Sequence, residues 1–196
     1  MTTPLSTQHL SRRTAVAGLA AGGLGVAAGA HRASAQEMNL ADHPIQGMWL
    51  AMANPPRSGV DPQVPVPSYY GADGTCILHF VPAQVAMDDS LQFAGAPMGV
   101  WEPYDERTAH FTVVQTLVDA TGKLVGTATI DGHPKASEDG MTFSDDGSLV
   151  TVTIRNPAGE VVMVIPPNTD NAPVTGIRMR VGNPGFPGDD EATPVS

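Results

Sequence analysis

Gly47-Met48-Trp49-Leu50-Ala51-Met52-Ala53 is the stretch whose reading decides the fold. It reads as the first strand, within Gln46–Ala53, of an all-β domain. Downstream the chain repeats one theme: a short apolar or alternating run, then a turn carrying Gly. The longest run is Thr108–Val118. There Phe111, Val113, Gln115 and Leu117 share one face, and His110, Thr112, Val114 and Thr116 share the other. Val150, Val152 and Ile154 alternate with Thr151, Thr153 and Arg155 in the same period of two.

Turns separate these runs. Asp73-Gly74 precedes Thr75–Phe80, Thr121-Gly122 precedes Lys123–Ile130, and Asp139-Gly140 precedes Met141–Ser144. Asp146-Gly147 and Ala158-Gly159 follow the same rule, because Gly supplies the positive φ that a tight turn needs. Further strands are expected at Ser68–Tyr70, Gly99–Tyr104, Glu160–Ile165 and Val174–Val181, and Lys123–Ile130 continues weakly to Ser137. Asn54–Pro67 carries five prolines in fourteen residues, which argues for a long loop, placed as a lid across one barrel end. Val81–Pro97 reads as a second irregular stretch. The expectation is an antiparallel up-and-down β-barrel of about eight or nine strands, since closure protects sheet edges, with a β-sandwich as the alternative.

Composition agrees with one domain. The 196 residues are 41% apolar but only 5% aromatic, and Gly and Pro number 21 and 18. The formal charge of −10 becomes −13 if residues 1–35, with three arginines and no acid, are removed. Such a surface repels phosphate backbones, which excludes nucleic acid as a partner, and it disfavours anionic membranes. A single cysteine, Cys76, rules out an intrachain disulfide framework and reads as a buried, inert thiol.

Residues 1–35 read as a leader. Arg12-Arg13 is a twin-arginine pair, Thr14–Ala30 is a weakly apolar run, and Ala33-Ser34-Ala35 is a small-residue cleavage site. The segment resembles a bacterial twin-arginine (Tat) signal peptide, with Ala15-Val16 where that family usually has a large apolar pair. The resemblance implies cleavage after Ala35, passage through the Tat machinery in a folded state, and an extracellular or cell-envelope location without stable membrane insertion afterwards. Gln36–Pro44 is then a polar lead-in, residues 45–181 the barrel, and residues 182–196, with three prolines and Asp189-Asp190-Glu191, a disordered acidic tail.

Gly47-Met48-Trp49 at the start of the first strand looks like the Gly-x-Trp signature of lipocalins and related calycin barrels. In that family the Trp closes the barrel floor under a basic residue from the last strand. The resemblance therefore implies barrel-closing roles for Gly47, Trp49 and either Arg178 or Arg180. Ile45 stands where the family often has Asn. The layout over residues 45–181, including Gly99-Val100-Trp101-Glu102, also resembles a group of exported actinobacterial-type proteins that are lipocalin-like in outline. That likeness implies a fold and no agreed activity.

No catalytic motif appears. Gly-x-Ser-x-Gly and Gly-x-Gly-x-x-Gly are both missing. His43, His79, His110 and His133 form no same-strand i, i+2 pair. Cys76 and His79, three apart, fall on opposite strand faces, so no metal and no cofactor is expected. The acid pairs at residues 88–89, 145–146 and 189–190 read as solvated charge. The remaining asset is the barrel interior. A barrel of this size holds either side chains or one small ligand. Small inward residues such as Gly126 and Ala128 would leave space, and methionines would line it. Trp49, Tyr70, Trp101, Phe111 and Val113 are the interior positions expected to meet a small apolar or amphipathic ligand entering beside the 54–67 loop. A cyclase- or isomerase-like enzyme is the alternative, by analogy with calycin barrels, and requires Tyr70, His110 or Glu102 to point into the cavity. A filled, structural or protein-interaction barrel is the third reading.

Overall fold

A computed structural model describes residues 39–54, 62–86 and 89–187. The leader expected at 1–35, residues 55–61 of the proline-rich loop and the end of the tail from 188 lie outside the described residues. So do Met87 and Asp88.

The chain is all-β and antiparallel. After a 3-10 turn at Leu40–Asp42 come β1 (Gly47–Ala53), β2 (Val64–Tyr70), β3 (Thr75–Leu78), β4 (Ala83–Val85) and β5 (Leu91–Ala94). They are followed by β6 (Met98–Pro103), β7 (Ala109–Asp119), β8 (Leu124–Gly132) and β9 (Lys135–Ala136). The last four are β10 (Thr142–Asp145), β11 (Thr151–Arg155), β12 (Val161–Ile165) and β13 (Val174–Arg178). All belong to one sheet, ordered β12-β11-β8-β7-β6-β3-β2-β1-β13-β10-β9, with the β4–β5 hairpin attached to β7. One curled sheet, rather than two packed sheets, disposes of the sandwich alternative.

The curl closes at one end. Thr108 bridges Lys135. The Ala109 N–H donates to the Pro134 carbonyl at 3.0 Å, and the Ala136 N–H donates to the Arg107 carbonyl at 2.9 Å. The otherwise free edge of β9 is thereby joined to the start of β7, which removes an exposed edge. At the other end, β12 pairs on one side only among the described residues. The result is a half-barrel, bonded around its floor and open at its mouth.

Three sequence expectations change. Among the described residues, thirteen strands replace about nine. One reason is that β8 and β9 share a register on β7, yet His133-Pro134 separates them. Pro134 has no N–H, and the His133 N–H is diverted 2.7 Å to the Asp145 carboxylate. A second is that Val81–Pro97, read as irregular, contains the β4–β5 hairpin. Its strands of three and four residues, with Val85, Leu91 and Phe93 exposed, carry no clear alternation. The third is Val64–Pro67, read as loop, which belongs to β2. His79 donates its N–H to the Pro67 carbonyl at 2.8 Å, so Pro67 turns its polar backbone edge away from β1. Pro65, two residues earlier, turns the same way. The prolines leave the β1 ladder intact and sit where β3 has ended.

β7 keeps the expected alternation. Ala109, Phe111, Val113, Gln115 and Leu117 are buried, and the residues between them are more exposed. The core gathers at the closed end around Trp49, Ile45, Tyr70, Trp101 and Phe143. Cys76, fully buried on β3, belongs to the same cluster, and burial pushes its thiol pKa up to about 12. Residues 182–187, placed in the tail by sequence, fold back. Arg180 bridges Asn183, and Gly185 lies against Ile177.

Candidate functional site

β1 sets the shape of the interior. Trp49, Ala51 and Ala53 are all buried, and they shrink from the closed end toward the mouth. Trp49 fills the floor. Its indole N–H donates to the Ile45 carbonyl at 2.7 Å, and its ring meets Phe143 edge-on at 5.2 Å. The Arg178 guanidinium lies over the indole, 4.3 Å from the ring centre. Arg178 Nε donates to the Gly140 carbonyl at 2.6 Å and Nη1 to the Gln46 carbonyl at 2.8 Å; Nη2 donates to the Pro44 carbonyl. Gly47 makes this possible. Its φ is +125°, and a Cβ there would stand 2.7 Å from Arg178 Nη1. Arg180 is exposed, and its Nη2 donates to the Met141 sulfur at 2.9 Å.

Above this floor is a cavity of about 650 Å³. The aromatic rings of Tyr70, Phe111 and Phe143 border it, and its walls are Ala51, Ala53, Val66, Leu78, Leu117, Ala128 and Ile130. The β11–β12 hairpin adds Val152, Ile154, Met163 and Ile165. A volume of this size is typical of pockets that enclose one small molecule. The space exists because Ala occupies inward positions where Leu or Phe would fill it.

The structure divides the residues expected to line this space. Tyr70 and Phe111 border the cavity. Trp49, Trp101 and Val113 do not: they are buried in the packed core beneath and beside it. Trp101 donates its indole N–H to the Gly71 carbonyl at 2.8 Å and meets Tyr70 edge-on. Large aromatics on the same inward face sort by depth, which alternation alone does not report. The methionines also correct the reading. Met163 lines the cavity, but Met48 and Met98 are exposed, on the outward register of β1 and β6. Ala128 is a small wall residue, as expected. Gly126 instead allows close approach of β11, since its Cβ would lie 2.0 Å from the Arg155 carbonyl oxygen.

Of the residues the enzymatic alternative requires, only Tyr70 faces the cavity. Its phenol is buried, with a pKa pushed well above the ordinary value by desolvation and then by Cys76 and Asp145. Glu102 is exposed, and His110 lies outside the cavity lining. His110 stands opposite His133 across β7 and the end of β8. Their rings stack with centres 4.4 Å apart. A search for same-strand spacing misses this pair, because the strand register creates it. Among the described residues, no group of three or more His, Cys, Asp or Glu is placed to hold a metal ion.

Sequence reasoning also placed Asp145 wrongly. Read as solvated turn charge, it is buried at 7% exposure and borders the cavity. Its Oδ2 accepts the His133 N–H at 2.7 Å and its Oδ1 accepts the Gly147 N–H at 3.0 Å. Its neighbour Asp146 does serve the turn, accepting the Ser148 N–H at 2.9 Å. The missed signal was the period of two, which puts Asp145 on the inward face of Phe143. The mouth is tied by amides. Asn54 donates to the Ala172 carbonyl at 2.8 Å and Gln63 to the Pro173 carbonyl at 3.0 Å, joining both described ends of the proline-rich loop to the segment before β13.

Two histidines give the barrel a pH dependence. His43 Nδ1 accepts the Ile45 N–H at 3.2 Å while Nε2 contacts the Asp105 carbonyl at 3.1 Å, so the ring is held neutral. Burial lowers its pKa below the ordinary 6.5 against the pull of Asp105. Burial, and then the facing His110, lower that of His133. The unfolded chain therefore binds more protons than the folded one as the pH drops past 6.5, and stability falls in that direction. The melting temperature is expected to decrease between pH 7 and 5, and less steeply in His43→Gln. A flat or rising profile over that window in the unmodified protein overturns the assignment.

A scan against protein-family models found no match, and searches of curated proteins and of solved structures likewise found none.

Proposed function

We propose that this chain is an exported, lipocalin-like barrel of calycin type that carries one small apolar or amphipathic ligand in its cavity. The observation that supports the reading is the 650 Å³ cavity itself, apolar in its walls and set above an aromatic floor. The Gly47, Trp49 and Arg178 arrangement supports kinship in architecture, because it matches what the Gly-x-Trp resemblance implies for a barrel floor. The sequence features that support export are Arg12-Arg13 and the small-residue site ending at Ala35, which imply the Tat machinery as a transient partner and the bacterial envelope or exterior as the destination.

The test is native mass spectrometry of the protein purified from its own host without denaturation, paired with titration of a neutral apolar fluorophore. The expected result is an added mass released by solvent, or saturable fluorophore binding once the cavity is emptied. Ala128→Phe fills a wall position, so it should weaken binding about ten-fold or more while changing folding stability by less than about 1 kcal/mol. A bare polypeptide mass together with no saturable binding sinks the proposal.

A further inference from the structure

The cavity is apolar but not neutral in its chemistry. Its lining includes no Lys, Arg or His among the described residues, and its charged members are Asp145 and Asp146. Asp146 already caps the turn at Ser148. Asp145 is different. It is buried, each of its oxygens accepts one backbone N–H, and each carboxylate oxygen keeps a further acceptor site. A carboxylate in a desolvated wall repels a second anion strongly and gains from a donor.

Two other polar groups of the lining, Gln115 and Ser68, also offer acceptors. Gln115, on the inward face of β7, donates Nε2 to the Gly95 carbonyl at 3.1 Å, which leaves its amide oxygen as an acceptor and its second N–H as a donor. Ser68 donates its hydroxyl to the Val66 carbonyl at 3.0 Å, which leaves oxygen lone pairs. Tyr70, an un-ionised phenol, both donates and accepts, and it borders the same space as Asp145. The lining also holds Asn54, Gln84, Gln92, Asn168 and Asn171, whose amides can donate as well as accept, so the polarity that sets the cavity apart is the buried Asp145 carboxylate with no Lys, Arg or His among the described lining residues to receive an acid.

We infer that the cavity selects an apolar molecule whose polar end is a hydrogen-bond donor, a hydroxyl or an amine, and rejects anionic amphiphiles such as fatty carboxylates, with Asp145 as the recognising group. The inference rests on the cavity-binding reading and adds the ligand class to it. A hydroxyl fits both polar partners, since it donates to Asp145 and accepts from Tyr70. An ammonium fits Asp145 alone. A carboxylate offers Asp145 no donor and places two like charges in one apolar enclosure.

The experiment loads the protein with N-phenyl-1-naphthylamine, a neutral apolar probe. It then displaces the probe with 1-dodecanol, dodecylamine or dodecanoate at pH 7.5, below micellar concentrations. Added salt of 0.3 M or so screens the acidic exterior. Dodecanol and dodecylamine are expected to displace it at concentrations about ten-fold or more below dodecanoate. Asp145→Asn should shrink that gap to about two- or three-fold, chiefly by improving dodecanoate. Tyr70→Phe should weaken dodecanol and spare dodecylamine. Equal displacement by all three, or preference for dodecanoate, overturns the donor inference while leaving the cavity reading in place. No probe binding overturns the cavity reading itself. If Asp145→Asn does not fold, the three-way comparison on the unmodified protein still decides.

Discussion

Trp49→Ala is expected to lower the unfolding free energy by about 3–5 kcal/mol, the range for deleting a large buried aromatic. Trp49 has no measurable exposure and sits where the curl closes, so its removal leaves a hole in the packed floor. Three interactions go with the ring. The indole N–H leaves the Ile45 carbonyl, Phe143 loses its edge-on partner, and Arg178 loses the face on which it lies. The cavity above makes matters worse rather than better. Ala51 and Ala53 already leave open space along β1, so removing Trp49 would join that space to a void at the floor. Chemical denaturation followed by far-ultraviolet circular dichroism measures the effect. A loss under about 1 kcal/mol would mean that the floor is looser than this packing indicates. Trp49→Phe, which keeps a ring and loses the indole N–H, should lie between Trp49→Ala and the unmodified protein.

Trp49 and Arg178, which the chain singles out through Gly47-x-Trp49 on the first strand and an arginine on the last, lie together at the closed end, the guanidinium over the buried indole. Alternation read β7 correctly over its whole length, since one face of that strand is core and the other is not. It failed where the physical premise failed. β12 has apolar residues on both faces and is exposed at nearly every position, so its pattern carries no information about direction. β2 holds prolines that sequence rules assign to loops, and only the pairing on each side shows that their missing donors cost nothing. Depth is equally invisible. Trp101, Phe111 and Tyr70 all point inward, yet only two of them reach the cavity. The position of Asp145 was recoverable, because Phe143 two residues earlier fixes the face. The expectation that paired acids are solvated overrode the strand period there. The stacking of His110 on His133 was not recoverable, since it depends on a register between β7 and β8 that no local pattern specifies.

The second large effect is expected from Arg178→Met. The substitution retains much of the aliphatic bulk and removes the fork of donors that ties three separate segments together: the chain before β1 through Pro44 and Gln46, the turn at Gly140, and β13 itself. Charged donors to carbonyls are worth more than neutral ones, and partly buried acceptors left without a donor carry a desolvation cost, so a loss of about 2–4 kcal/mol follows. Arg178→Lys should recover little of it. A single ammonium is a point donor and does not reach three diverging carbonyls, nor does it lie flat on an indole as guanidinium does. Gly47→Ala approaches the same lock from the other side. It forces a side chain onto a backbone at φ +125° and pushes against Arg178 Nη1, and it should reproduce a large part of the loss without touching the arginine. Because the two residues act on one contact, the double variant Gly47→Ala/Arg178→Met should be less destabilised than the two single losses added together. Strict additivity in a double-mutant cycle would mean that Gly47 serves the local backbone alone. A shortfall of about 1 kcal/mol or more would establish that its missing Cβ is what admits the guanidinium to the floor.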